Sequence, residues 1–106
     1  MALTRQFRDT VMQRARQDVA FRTALLSEAA EAMLAGEADT ARLMLRDYIN
    51  ATLGFEALAT ETGIPVKSLH RMFGPRGNPT LGNLSSVLKA LETNENISFH
   101  VDVTRA

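Results

Sequence analysis

The chain has 106 residues, is 45% hydrophobic and balances 12 Lys and Arg against 12 Asp and Glu, a composition that suits one folded core and excludes a disordered tail or a coiled-coil rod. With no cysteine there is no disulfide, thiol catalysis or cysteine-ligated zinc. No apolar run approaches the roughly 18 residues of a membrane span, the opening Met1-Ala2-Leu3-Thr4-Arg5 lacks the apolar core of a secretory signal, and a cytoplasmic protein without membrane contact is expected.

The balanced total hides uneven stretches. From Arg5 to Arg16 four arginines face only Asp9, on a segment where Leu3, Phe7, Val11 and Ala15 recur every fourth residue. That spacing predicts a polar helix with a narrow apolar stripe, only partly docked. From Asp18 to Asp39 the sign reverses, with five carboxylates against Arg22. Here Phe21, Leu25, Leu26, Ala29, Met33 and Leu34 predict a second helix, closed by Gly36 as a left-handed cap. Asp39 is a candidate N-cap for a third helix carrying Ala41, Met44, Leu45, Tyr48 and Ile49 and ending near Leu53. Met33, Met44 and Met72 sit at core spacing.

Punctuation then becomes dense, at Gly54, Gly63-Ile64-Pro65, Gly74-Pro75-Arg76-Gly77-Asn78-Pro79 and Thr93-Asn94-Glu95-Asn96. Each break bounds a short helix. Thr80 is placed to cap one whose buried face is Leu81, Leu84, Val87, Leu88 and Leu91. After it the period changes to two: Ile97, Phe99, Val101 and Val103 alternate with Ser98, His100, Asp102 and Thr104, which predicts a β-strand within 96–104. A lone strand leaves backbone donors and acceptors unpaired and should find a partner in another copy of the chain or in another protein; Ile97 to Val103 is expected to pair with its symmetry mate, making Ile97, Phe99, Val101 and Val103 a homodimer interface. The expected organisation is a single domain over 1–106, with N-terminal helices over 1–53, a helix-turn-helix core over 54–92 and the strand.

Between Glu61 and Glu92 no carboxylate occurs, while Lys67, Arg71, Arg76 and Lys89 all fall in that window. The window overlaps the stretch Phe55 to Phe73, which reads as helix, tight turn, helix. Two short helices crossing steeply need a small residue at the crossing, a glycine able to take positive φ in the turn, and apolar anchors on both arms. Ala59, Gly63, Ile64, Leu69 and Met72 supply these in order. Placed at about 100° per residue, Leu69, Met72 and Phe73 share one arc of the second helix, and Lys67, His70 and Arg71 the opposite one, with Val66 and Ser68 flanking. Pro65 suits the first turn because it has no N–H to orphan.

A donor-rich exposed helix fits a DNA major groove. Lys67 and Arg71 can donate to guanine or to phosphate, Ser68 can serve either, and Val66 can meet a thymine methyl. His70 reads equally as a DNA contact or a simple surface residue. Arg76 and Asn78 follow in a loop that can hold phosphate, aided by the amides opening the Thr80 helix.

Leu58-Ala59, Gly63-Ile64, Ser68-Leu69, Arg71-Met72 and Gly77-Asn78-Pro79 ahead of the Leu84–Leu91 helix resemble the helix-turn-helix regulators of the phage-repressor type. Gly77-Asn78-Pro79-Thr80-Leu81 and Val87-Leu88-Lys89-Ala90-Leu91 are most similar to the antidote proteins of bacterial addiction modules, and the likeness spans about residues 20 to 103. The resemblance implies an all-α, lambda-repressor-like bundle, here with an N-terminal helical extension and one C-terminal strand. It also implies a homodimeric DNA-binding repressor of its own operon and, in antidote members, neutralisation of a small toxin encoded beside it. The chain departs from the pattern at Phe55, where a polar phosphate contact is common, and at Pro65, where a hydroxyl cap is common. Glu56 and Glu61 lie near the expected DNA side and would repel phosphate if they faced it. Phe55 and Glu56, with the acidic stretch Asp18 to Asp39, leave a second reading open: a protein-interaction module that holds a toxin with little or no DNA binding.

Other chemistries find little support. His100 beside Asp102 has no nucleophile close in sequence, two histidines thirty residues apart make no metal site, and Gly74 to Gly77 lacks the lysine and strand of a phosphate-binding loop. No enzyme activity, cofactor or metal is expected.

Overall fold

In the computed structural model residues 2–106 are described, with side chains at 6, 7 and from 9 onward. The side chains of Leu3, Arg5 and Arg8, part of the expected stripe and basic segment, lie outside the described set. The chain forms six α-helices there: α1 (Ala2–Gln17), α2 (Val19–Leu34), α3 (Ala38–Ala51), α4 (Gly54–Thr62), α5 (Val66–Met72) and α6 (Leu81–Glu95). The all-α class expected from the sequence holds. None of these helices is long and apolar enough to cross a membrane.

Local chemistry sets the breaks. Asp18 interrupts α1 and α2 and caps the latter, its Oδ1 accepting the Phe21 N–H at 3.1 Å. At the other end of α2, Gly36 takes φ +83°, the Gly36 N–H donates to the Met33 carbonyl and the Glu37 N–H to the Ala32 carbonyl. This paired closure satisfies carbonyls a helix end leaves open, and the left-handed residue it needs is cheapest as glycine. Thr80 caps α6, accepting the Asn83 N–H at 3.1 Å, as its position in the sequence predicts.

The largest side chains fully excluded from solvent are Leu26 from α2, Tyr48 and Ile49 from α3, Leu58 from α4, Leu69 from α5, Phe73 just beyond it, and Val87 and Leu91 from α6. Burying an aliphatic side chain of this size contributes about 1.5–3 kcal/mol, so this shared cluster is what fixes α4 and α5 on the rest. α1 is attached more lightly. Ala15 is buried and Arg14 lies over the Phe21 ring at 4.9 Å, but Phe7 projects into solvent.

One polar cluster ties four helices together. Arg22 on α2 donates from Nε to Glu95 Oε1 at 2.9 Å and from Nη2 to Glu95 Oε2 at 3.1 Å, and its Nη1 reaches the Ala15 and Arg16 carbonyls at the end of α1. The Tyr48 hydroxyl donates to the same Glu95 carboxylate. Side-chain exposure is only 16% for Arg22 and 9% for Glu95, so the pair is shielded and bidentate. The Arg22 hydrogen bonds hold the Glu95 carboxyl below its ordinary range, and burial, reinforced by Glu95, pushes the Tyr48 hydroxyl up.

Several expectations are corrected. Residues 96–104 form no β-strand: Asn96 closes α6 in the left-handed region at φ 58° and residues 97–106 carry no ladder. A ladder needs a second strand, and none exists among the described residues. Ile97 and Phe99 instead pack against the chain's own core, leaving Val101 and Val103 in solvent. Asp39 is not an N-cap. Helix α3 starts at Ala38, and Asp39 in its first turn pairs with Arg42 at 2.7 Å. The stretch 93–95 is the last part of α6 rather than a turn, because Glu95 must stay on the helix to reach Arg22. Leu34 and Leu81 belong to their apolar stripes by spacing but are exposed, each lying at a helix end beyond the reach of the core.

Candidate nucleic-acid interface

Helix α4 ends at Gly63, whose φ of +73° reverses the chain while its N–H donates to the Ala59 carbonyl at 2.9 Å. The Thr62 hydroxyl then accepts the Ile64 N–H at 3.2 Å, and Ile64 buries its side chain. Pro65 stands at the N-cap of α5 rather than inside its first turn, with ψ 142°, and its carbonyl accepts the Leu69 N–H. Extended ψ at the cap is where a proline ring imposes no clash on the helix that follows. The helix, tight turn, helix arrangement read from Phe55 to Phe73 is thus realised by residues 54–72.

Helix α5 divides as its periodicity predicts. Leu69, Met72 and the following Phe73 are buried, whereas Lys67, His70 and Arg71 are exposed and Val66 and Ser68 are half-buried at the margins. Among the described residues Lys67, Arg71 and Arg76 enter no ion pair. Their side chains therefore face water, with no carboxylate among the described residues within ion-pair distance.

Two features of this surface escape a reading by periodicity. Phe55, the departure at the start of the first motif helix, is buried, and its ring lies 4.6 Å from the His70 ring at an interplanar angle of 34°, with Phe73 at 6.0 Å on another side. An aromatic at position 55 therefore packs against the exposed imidazole of α5. Only its wide separation in sequence from His70 concealed the pairing.

Gly77 is the second. A methyl group there would run into the Met72 carbonyl, so the 74–79 loop approaches the end of α5 more closely than any side chain allows. The Gly77 N–H donates to the Gly74 carbonyl at 2.9 Å, which folds the loop back. His70, Arg71, Gly74, Pro75 and Arg76 consequently line one open depression. Arg76 is thereby brought beside the donors of α5, and Asn78 is exposed two residues further on. Opposing this, Glu56 and Glu61 on α4 are also exposed. Comparison of the chain with protein-family models, with curated proteins and with solved structures finds no match.

Proposed function

We propose that the protein is a helix-turn-helix regulator of the phage-repressor type that binds double-stranded DNA and represses by occluding an operator. The observation that carries this reading is the division of α5 into a buried side, Leu69 and Met72, and an exposed donor side, Lys67, His70 and Arg71. Seven residues on a convex rod match the width of a major groove, which Val66, Lys67, Ser68, His70 and Arg71 enter, Lys67 and Arg71 donating to base edges or phosphates, while Arg76 and Asn78 clamp phosphates. One such helix covers only a few base pairs, so the functional unit is a homodimer on half-sites about one helical turn apart. The resemblance to addiction-module antidotes extends the reading to an antitoxin that represses its own operon.

A second reading, a module that neutralises a small toxin with little DNA binding, is favoured by the exposed carboxylates Glu28, Glu31, Glu37 and Asp39 on α2, α3 and the turn between them. A basic toxin would meet a complementary surface there.

A gel shift with the DNA upstream of the protein's own gene separates the two. Under the regulator reading the parent's affinity falls steeply with salt. Lys67→Ala with Arg71→Ala lowers affinity at least about tenfold and flattens the salt slope by about one unit for each phosphate left without its cation. Equal, weak and salt-independent binding by both proteins would reject it.

A further inference from the structure

An apolar groove of about 770 Å³ lies between α2, α6 and the C-terminal segment, walled by Leu26, Met33, Leu34, Leu88, Phe99 and Val101. Leu34 is 67% exposed and Val101 66%, and Val103 beyond them is 92% exposed. We propose that a second copy of the chain closes this groove. Residues 98–104 of the two copies run antiparallel about a two-fold axis at Val101, so that Val103 of each lies beside Phe99 of the other. The proposal rests on the dimeric reading above and adds to it a seat and a register.

Backbone direction gives the first argument. The Ile97 N–H donates to the Glu92 carbonyl and the Phe99 N–H to Glu92 Oε2, at 3.0 and 2.7 Å. Both odd-numbered amides are therefore spent on the chain's own α6. Burial alternates along the same residues, Ile97 and Phe99 half-covered, Ser98 and His100 open. In an extended segment neighbouring residues direct their N–H and C=O groups to opposite edges. Where the segment continues extended, Ser98, His100, Asp102 and Thr104 present theirs to the edge away from α6, and among the described residues none of these four amides has a hydrogen-bond partner.

The side chains then select the register. With the axis at Val101, His100 opposes Asp102 of the second copy twice, Ser98 opposes Thr104, and Phe99 opposes Val103: a donor with a carboxylate acceptor, a hydroxyl pair and an aromatic with a β-branched residue, each a favourable cross-strand combination. Moving the axis by one residue either way sets His100 against His100 or Asp102 against Asp102, like facing like. The odd side chains of both copies also fall on one face of the ribbon, over the two grooves. A two-fold contact satisfies both open edges at once.

The absence of native cysteine makes the test clean. In this register Val101 faces its own counterpart in a non-hydrogen-bonded pair, with Cα atoms about 4.5 Å apart and within disulfide reach. The two Val103 residues are offset by four positions, roughly 13 Å along the strands. Under mild oxidation Val101→Cys is expected to become a covalent dimer at least about tenfold faster than Val103→Cys, although position 103 is the more exposed. Random collision gives the reverse order. Sedimentation is expected to show a dimer for the parent and a monomer of unchanged helicity for Val101→Asp. Val103→Cys cross-linking as fast as Val101→Cys, or a parent that sediments as a monomer at every concentration, would overturn the proposal. Gel shifts on the same proteins keep the two readings apart: rapid Val101→Cys cross-linking without DNA retardation sinks the regulator and supports this dimer, whereas salt-dependent DNA binding without cross-linking does the opposite.

Discussion

The junction of α1, α2, α3 and α6 and the surface of α5 use charge in opposite ways. At the junction Arg22, Glu95 and Tyr48 turn inward and satisfy one another, 73 residues apart in sequence at the widest. On α5 the cations Lys67 and Arg71 turn outward and find no acidic partner among the described residues. A shielded charge left without its partner is costly, so the first set is bound to the fold. An exposed cation costs almost nothing to remove, so the second set contributes little to stability, and its grouping on one face points to an external ligand.

The sharpest way to break this contrast is to remove the shared carboxylate. Glu95→Ala leaves Arg22 Nε and Nη2 and the Tyr48 hydroxyl without their acceptor, only Nη1 keeping the Ala15 and Arg16 carbonyls, and is expected to cost about 3–5 kcal/mol in denaturant unfolding. A loss under about 1 kcal/mol would show that the cluster is no more than a surface ion pair. The same group sets an acid limit. Because the folded-state carboxyl of Glu95 is held below its ordinary value of 4.5, its stabilising contribution is complete above that value and fades as the pH falls through the lowered one. The parent is therefore expected to lose stability on acidification below about pH 4.5 more steeply than Glu95→Gln, whose amide does not titrate. Parallel curves would remove Glu95 from the cause.

Gly77→Ala tests the boundary between the two regions. Its methyl meets backbone rather than a yielding side chain, so the loop or the end of α5 must shift, at about 1–3 kcal/mol. Because Arg76 shifts with the loop, DNA affinity is expected to fall as well, and a variant with parental stability would show that the close approach is not required. Gly63→Ala is milder. Nothing lies within reach of the new methyl, and only the left-handed φ of +73° penalises it, by about 1 kcal/mol.

How much of this is legible in sequence depends on the range of the interaction. Gly63, Thr80 and the two sides of α5 are readable because each is decided within one or two turns: a positive φ, a cap bond three residues on, a 3.6-residue period. The inward cluster is not. Glu95 sits among Thr93, Asn94 and Asn96, which read as a turn, and no local pattern indicates that Arg22 waits across the fold. Asp18 is legible in principle, as an acid directly ahead of an apolar helix, yet counted as the first of the five carboxylates up to Asp39 it passes for one more charge on a solvated face. The C-terminal segment shows the remaining limit. Its period of two is a property of one chain, whereas a β-ladder is a property of two, so alternation announces an edge and cannot supply its partner.

The smallest expected effect on stability sharpens the contrast most. Lys67→Ala with Arg71→Ala removes two exposed cations that anchor no hydrogen bond within the described residues, so unfolding is expected to change by no more than about 0.5 kcal/mol. Each change also places a strong helix former on a solvent face, and any shift is expected toward stability. Glu95→Ala is the mirror case, since it unsettles the fold without touching a residue of the α5 surface. The two variants should dissociate: one keeps its unfolding curve and loses DNA, the other loses stability yet, where still folded, retards DNA as the parent does. If the double variant also unfolds early, the cations of α5 hold the fold together, and their outward placement ceases to argue for a ligand.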